Sequence, residues 1–186
     1  MARAKKSSSD KPLALELLSS DHRKVEDLFE EYESAKEDED EGRTELAQRI
    51  CKEITVHAQL EEEIFYPWLK ENLDEEDMEM LEEAYVEHEG AKNLIAQIEG
   101  AGSPDGEYDA KVKVLSEYIK HHVKEEEEEI FEAISDKREE LDELGQEMAA
   151  RKAELAEEHG LESDDAEGAM AGKKKGSQGG RAEQRR

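Results

Sequence analysis

Apolar residues recur at alternating intervals of three and four along most of the chain, which is the pattern of amphipathic helices. The first such stretch follows Asp10 and Pro12, which are suited to cap a helix and to occupy its first turn. Its inward positions are Leu15, Leu18, His22, Val25 and Phe29. The acidic residues 37–42 interrupt the pattern and predict a connection.

A second helix is predicted to begin near Thr44. Its apolar stripe is Leu46, Ile50, Ile54, His57, Glu61, Ile64 and Trp68. His57 and Glu61 therefore lie within the apolar face, not beside it. Pro67 lacks an amide hydrogen and is predicted to kink or end this helix, with the turn at residues 72–74.

Two further helices complete the set. The third carries Met78, Leu81, Tyr85, His88, Ile95 and Ile98 inward and ends at the glycine-rich residues 100–106. The fourth carries Val112, Leu115, Ile119, His122, Glu126, Ile130 and either Ala133 or Ile134. Four amphipathic helices with ordinary connections predict an all-α fold, an antiparallel up-down-up-down four-helix bundle.

The remaining chain divides into an extra helix and two tails. Leu141, Leu144, Met148 and Leu155 indicate a weaker fifth helix, with Gly145 inside it and Gly160 at its end. The predicted organisation is a disordered basic arm at 1–11, the bundle at 12–135, an accessory amphipathic helix at 136–160, and a disordered tail with a basic end at 161–186.

Composition narrows the functional classes. The net charge of −27 argues against nucleic acid as a partner of the folded body. The lone Cys51 excludes an internal disulfide and is compatible with the cytoplasm. We expect no membrane span, since no segment approaches the roughly 20 apolar residues that one needs.

The chemistry of the chain lies in an internal repeat. His57 and Glu61 are one helical turn apart, and His122 and Glu126 repeat that spacing. Each pair follows a further inward histidine, His22 by 35 residues in the first half and His88 by 34 in the second. In a bundle the two halves would face each other and bring four imidazoles and two carboxylates into one interior layer.

This layer predicts a metal site. An isolated histidine on an apolar stripe is more often a hydrogen-bonded core residue than a ligand, but a buried glutamate needs a cation or donors to offset its desolvation. No thiolate is available, and six ligands exceed what one tetrahedral zinc ion uses. Imidazole with carboxylate suits iron or manganese, and two ions leave room for a bridging oxo or hydroxo group.

At this point the chain resembles the hemerythrin-like, or HHE cation-binding, family of bacterial proteins. The segments that carry the resemblance are LLSSDHRKVEDLF, VHAQLEEEIFYP, EHEGAKNLI and HHVKEEEEEIF, between about Leu13 and Ile134. The resemblance implies a non-heme centre of two iron ions. The metal ligands that it implies are His22, His57, Glu61, His88, His122 and Glu126, with both glutamates as bridges.

Two positions depart from the family pattern. Oxygen-carrying hemerythrins have a histidine four residues after the one on the third helix, where this chain has Lys92. That difference argues against reversible oxygen carriage. Glu132 stands where a proline is expected after the second motif, and it predicts that the fourth helix continues.

Several residues are set aside as candidates. His121 is predicted to face solvent, and His121 with Glu125 is the competing pair if that orientation is wrong. Glu62 is assigned to the surface. We also expect Glu26 to be an exposed partner of another side chain on its helix. Tyr85 and Tyr118 are expected in the core, and Cys51 as an inert buried thiol.

Three functions fit these observations. The first is a cytoplasmic diiron protein that binds or senses dioxygen, peroxide or nitric oxide, or handles iron in oxidative stress. The second is an enzyme that uses the same centre to decompose peroxide or reduce nitric oxide. The third is an interaction protein in which the bundle is a scaffold and the fifth helix or basic tail recruits a protein partner.

Overall fold

The computed structural model describes residues 11–35, 40–101 and 106–161, and all regular structure within these ranges is helical. These ranges contain five helices: α1 (Leu13–Ser34), α2 (40–72), α3 (Met78–Glu99), α4 (106–133) and α5 (Arg138–Glu158). The predicted cap Asp10, the basic arm apart from Lys11, and all of the C-terminal tail beyond Leu161 lie outside the described residues. No helix of the described part is long and apolar enough to cross a membrane.

Neighbouring helices of the bundle run antiparallel. Tyr32, near the end of α1, donates a hydrogen bond of 2.6 Å to Asp109, near the start of α4. On α2 and α3, Tyr66 packs against Tyr85 and Glu62 binds Lys92, so the residue order along one helix is reversed along the other. The predicted up-down-up-down bundle with an extra helix is confirmed.

A π-helical turn interrupts both helices that carry a His-x-x-x-Glu motif. The turns are Glu61–Phe65 in α2 and Glu126–Ile130 in α4, and each begins at the glutamate of the motif. The amide of Tyr66 bonds to the carbonyl of Glu61, five residues back. Because the hydrogen-bond ladder is already displaced there, the missing amide hydrogen of Pro67 does not break the helix. Pro67 does not end the helix, since α2 continues to Asn72, where the predicted turn at residues 72–74 begins.

Three other boundaries and orientations differ from prediction. Helix α2 begins at Asp40, not near Thr44, so residues 40–42 of the predicted connection are helical, while residues 36–39 lie outside the described part. Helix α4 ends at Ala133, so Glu132 does not extend it. Tyr85 is 39% exposed because Ala84 occupies the inward position between Leu81 and His88.

The core consists of two apolar clusters with a polar layer between them. One cluster contains Leu18, Leu60 and Phe65 together with the apolar face of α5. The other contains Phe29 and Ile50 with the apolar residues at the start of α4. On each helix of the bundle the predicted metal-binding residues fall between the two clusters.

The fifth helix packs closely along α1. A Cβ on Gly145 would lie 2.5 Å from the backbone nitrogen of Ala14, so the two backbones touch where α5 has no side chain. The amide of Leu13 donates to Asp142 over 2.8 Å, and this bond caps the start of α1 from α5. Gly160 has φ of +65° just after α5, as a glycine at the end of a helix often does.

Candidate metal centre

The six predicted ligands lie in one buried layer across the middle of the bundle. Each of them is at most 8% exposed: His22, His57, Glu61, His88, His122 and Glu126. They come from all four helices of the bundle, so the layer exists only after the helices have packed. This placement agrees with the expectation drawn from the repeat.

The inward atoms of the layer form two overlapping groups. Nε2 of His22 is 3.2 Å from Nε2 of His57, and Nε2 of His88 is 3.3 Å from Nε2 of His122. Oε2 of Glu61 is 3.3 Å from Nε2 of both His57 and His88, so Glu61 belongs to both groups. Oε2 of Glu126 lies 3.1 Å from Nε2 of His22, in the first group. Of the two glutamates predicted to bridge, Glu61 is the one placed between both histidine pairs.

The π turns explain how each glutamate and the residues after it can all face inward. In a regular α-helix, consecutive residues point about 100° apart, and a π turn has more residues per turn, so it reduces that angle. The wider turn brings Phe65 and Tyr66 inward together at 0% exposure, and Ile130 and Phe131 behave likewise at 3% and 4%. These side chains form the apolar floor beneath the layer.

An outer carboxylate faces the second ring nitrogen of every histidine in the layer. Nδ1 of His22 is 2.8 Å from Glu127, that of His88 is 2.9 Å from Glu62, that of His122 is 2.8 Å from Glu87, and that of His57 is 3.5 Å from Asp21. A carboxylate at Nδ1 favours the tautomer in which Nε2 carries a lone pair. The four imidazoles are therefore oriented with Nε2 toward the interior, as metal ligands require.

Sequence reasoning missed most of this outer ring. The assignment of Glu62 to the surface is wrong, because its carboxylate is half-buried and bonds His88. A signal was present: Asp21 and Glu87 directly precede the first histidine of each half, and Glu62 and Glu127 directly follow each motif glutamate. The repeat thus extends to the outer ring. Glu26 pairs with Arg23 on the surface, as expected.

Cations neutralise three of the four outer carboxylates. Arg23 bonds Glu127 over 2.7 Å, Lys92 bonds Glu62 over 2.7 Å, and Lys152 bonds Asp21. Lys92 occupies the position of the missing fifth histidine, and its ammonium group contacts Glu62 and Glu89. A hydroxyl reaches the layer instead, since the Tyr66 hydroxyl lies 3.0 Å from Nε2 of His88.

The two inner glutamates test whether the layer suits a metal. Neither oxygen of Glu61 or Glu126 has a hydrogen-bond partner among the described residues, although the side chains are 0% and 1% exposed. Burial favours the neutral acid at Glu61, but the neighbouring His57 and His88 hold its pKa well below its ordinary value. Burial and the charge of Glu61 raise the pKa of Glu126. Two buried carboxylates that make no hydrogen bond within the described ranges, set among inward imidazoles, are a donor set that divalent iron or manganese satisfies.

An apolar cavity of about 310 Å³ reaches the layer from between α2 and α3. The histidines of the layer lie at its inner end, and its walls include Val25, Ile54, Ile95 and Ile119. Lys92 lies among the residues that line it and is exposed to solvent. The cavity gives a small uncharged molecule a route to the layer.

His121 is exposed, as predicted, and stays outside the layer. It forms a separate group with Glu87 and Glu125 on the outside of α3 and α4. Cys51 is fully buried, and burial followed by the charge of Glu99 raises its pKa to about 12.

The sequence and the fold of this chain are similar to those of known proteins. The family profile described as "Hemerythrin HHE cation binding domain" matches residues 13–134. A hemerythrin HHE cation binding domain-containing protein from Mycobacterium kansasii has a similar fold, with a TM-score of 0.63 and 21% identity, over 88% of this chain and 93% of that one.

A curated protein from a Nostoc species, named DNA nickase, is 32% identical over 114 residues. The match covers 61% of this chain and 31% of the Nostoc protein, so this chain spans about a third of the length of that relative.

Proposed function

The chain belongs to the hemerythrin HHE cation-binding family, and we propose that its buried layer holds two iron ions at which dioxygen, peroxide or nitric oxide binds. The observation that supports this proposal most strongly is the pair of glutamates whose four buried oxygens lack hydrogen-bond partners among the described residues. Bound iron would supply Lewis acidity and one-electron redox chemistry to a ligand that reaches it.

Each residue of the layer has a defined part in this proposal. His22, His57 and Glu126 would hold one ion, His88 and His122 the other, and Glu61 would contact both. The outer carboxylates would keep the imidazoles in position. Because Lys152, Lys92 and Arg23 neutralise those carboxylates, the outer ring brings less net negative charge into the core.

The cavity between α2 and α3 defines which ligands are suitable. Its walls are mainly aliphatic, so they favour a small neutral molecule over a hydrated anion. The cavity leads to the histidines, and the charge of Glu62 in its lining is neutralised by Lys92. Dioxygen, hydrogen peroxide and nitric oxide all meet these requirements.

Metal analysis after anaerobic loading tests the first part of the proposal. The chain has two overlapping ligand groups in the layer, so we expect two ions per chain and a higher midpoint of thermal unfolding than in the metal-free protein. A protein that stays metal-free and equally stable after loading would contradict it. His57→Ala should remove most of the metal, whereas the half-buried His159, which lies just after α5 and outside the layer, provides the control His159→Ala.

Exposure of the reduced, loaded protein to each small molecule in turn tests the second part. A reversible change in the ultraviolet and visible absorption indicates binding or sensing. Sustained consumption of peroxide or nitric oxide indicates an enzyme that uses the same centre. If none of these molecules changes the spectrum, ligand binding at the centre is ruled out while iron binding stands.

DNA cleavage, which the name of the Nostoc relative describes, is not part of this proposal. The net charge of −27 would repel the phosphate backbone of DNA.

A further inference from the structure

A second, acidic cavity of about 140 Å³ opens between α3 and α4. Glu83, Glu125 and Glu129 line it near the surface, and His122 and Glu126 lie at its inner end. The cavity between α2 and α3 has aliphatic walls, so the two routes into the layer differ sharply in polarity. The acidic cavity is the route that suits a hydrated cation.

The inner end of this acidic cavity carries a buried carboxylate, whose Oε2 contacts Nε2 of His22 at 3.1 Å. Glu126 is 1% exposed, and neither of its carboxylate oxygens has a hydrogen-bond partner within the described ranges. A buried carboxylate at the end of an acidic cavity indicates that a cation enters there. The acidic rim alone would not indicate this, because exposed acidic residues are common on so acidic a surface.

A three-residue group beside the cavity could hold the cation on its way in. One ligand atom each from Glu87, His121 and Glu125 lies within 4.8 Å of the others. Nε2 of His121 is 3.1 Å from Glu125 and 3.8 Å from Oε1 of Glu87. The other oxygen of Glu87 accepts from Nδ1 of His122, so Glu87 connects this outer group to the layer.

The internal repeat shows that these residues are specific to one half of the protein. Residues of α3 correspond to those of α1 at 66 positions earlier (His88 to His22), and residues of α4 to those of α2 at 65 positions earlier (His122 to His57). By this correspondence Glu83 matches Leu17, His121 matches Val56, Glu125 matches Leu60 and Glu129 matches Ile64. All four partners are apolar and either belong to the cluster that includes the apolar face of α5 or pack against it. One face of the repeat is therefore covered by a helix, while the equivalent face is acidic and open.

We propose that the cavity between α3 and α4 is the entry path for the metal, with Glu87, His121 and Glu125 as a transient site for a divalent cation. This inference rests on the proposed iron centre and adds how the ions reach it. Exposed ligands such as His121 bind weakly and release readily, which suits transfer. From that group the ion exchanges its ligands for Glu126 and the histidines of the layer.

The rate of anaerobic Fe²⁺ uptake tests this path. The cavity variant, Glu83→Gln/Glu125→Gln/Glu129→Gln, keeps the shape of the acidic cavity and removes three charges. The control Asp27→Asn/Glu30→Gln/Glu45→Gln removes three exposed carboxylates from α1 and α2. Unbound Fe²⁺ is measured with a colorimetric chelator at successive times, and circular dichroism verifies folding.

We expect the cavity variant to take up Fe²⁺ at least ~10-fold more slowly than the control, because local carboxylates concentrate the cation at the entrance. His121→Ala should slow uptake as well, and both variants should reach the same final metal content as the unmodified protein. Equal rates of Fe²⁺ uptake in the cavity variant and the control would overturn the entry path. A lower final metal content in the cavity variant would also overturn it. If the unmodified protein takes up no iron, the proposed centre itself fails, a result distinct from either of these.

Discussion

Lys152 on α5 donates a hydrogen bond to the carboxylate of Asp21 on α1, 131 positions earlier in the chain. The other oxygen of Asp21 lies 3.5 Å from Nδ1 of His57, one of the candidate ligands. Residues 13–134 match the family profile, so Lys152 lies outside the matched region. The fifth helix therefore contacts the candidate centre through one intermediate side chain.

We predict that Lys152→Met weakens metal binding without unfolding the bundle. Without the ammonium group, the buried carboxylate of Asp21 loses its anchor and orients His57 less firmly, and loss of such outer contacts costs about 10-fold or more in metal affinity. Affinity is measured by competition with a chelator. Lys152→Arg should restore it, and the exposed Lys120→Met should leave it unchanged. Unaltered affinity in Lys152→Met would show that α5 has no influence on the centre.

The close contact between α5 and α1 gives a second prediction. In Gly145→Ala the new Cβ would lie 2.5 Å from the nitrogen of Ala14 and 2.7 Å from the carbonyl carbon of Leu13. Backbone atoms cannot move aside as a flexible side chain can, so we expect a loss of about 1–3 kcal/mol in the free energy of unfolding. Denaturant titration measures it.

Gly42 provides the matched control for that substitution. It also lies in a helix, but a Cβ there meets nothing within 4 Å. Gly42→Ala should therefore stabilise the protein by roughly 0.5–1 kcal/mol, since alanine loses less conformational freedom on folding. If both variants shift stability in the same direction, the packing explanation is wrong.

A third prediction concerns Cys51, whose pKa burial raises from 9.0 to about 12. The fold favours the neutral thiol, so the contribution of this group to stability is full below pH 9 and is lost as the pH rises toward 12. At pH 8 the thiolate fraction of Cys51 is about a thousand-fold lower than that of a thiol with the ordinary pKa, and alkylation by iodoacetamide should be slower by at least as much. Cys51→Ser/Ser34→Cys places the thiol on the surface and should react at the ordinary rate. Rapid alkylation of native Cys51 would contradict its burial.

Helical periodicity and the internal repeat were sufficient to predict the bundle and the six inner residues. The stripe contained His57 and Glu61 because a helix places positions four apart on one face, and the second copy showed that His122, not His121, faces inward. These are local relationships, which a sequence displays directly.

The outer ring was not predictable in this way. Glu62 was assigned to the surface from its position on α2, but it bonds His88 on α3, a contact that depends on how two helices pack. The π turn that begins at Glu61 also changes the direction of the following side chains, and a period of 3.6 residues does not anticipate it. Lys152 was missed for the same reason as Glu62, since its partner is on another helix.

The buried carboxylate of Glu126 gives the last prediction, in which one substitution acts in opposite directions with and without metal. In the metal-free protein, burial and the charge of Glu61 raise the pKa of Glu126, so the folded state disfavours its ionised form. Glu126→Gln removes that charge at nearly constant volume and should leave the metal-free unfolding midpoint unchanged or higher. It should also abolish much of the stabilisation by metal, which for an ion at one hundred times its Kd is about 2.7 kcal/mol. Thermal unfolding with and without Fe²⁺ measures both effects, and the exposed Glu128→Gln should show neither. A Glu126→Gln variant that is destabilised without metal and equally stabilised by it would show that Glu126 is structural, not a ligand.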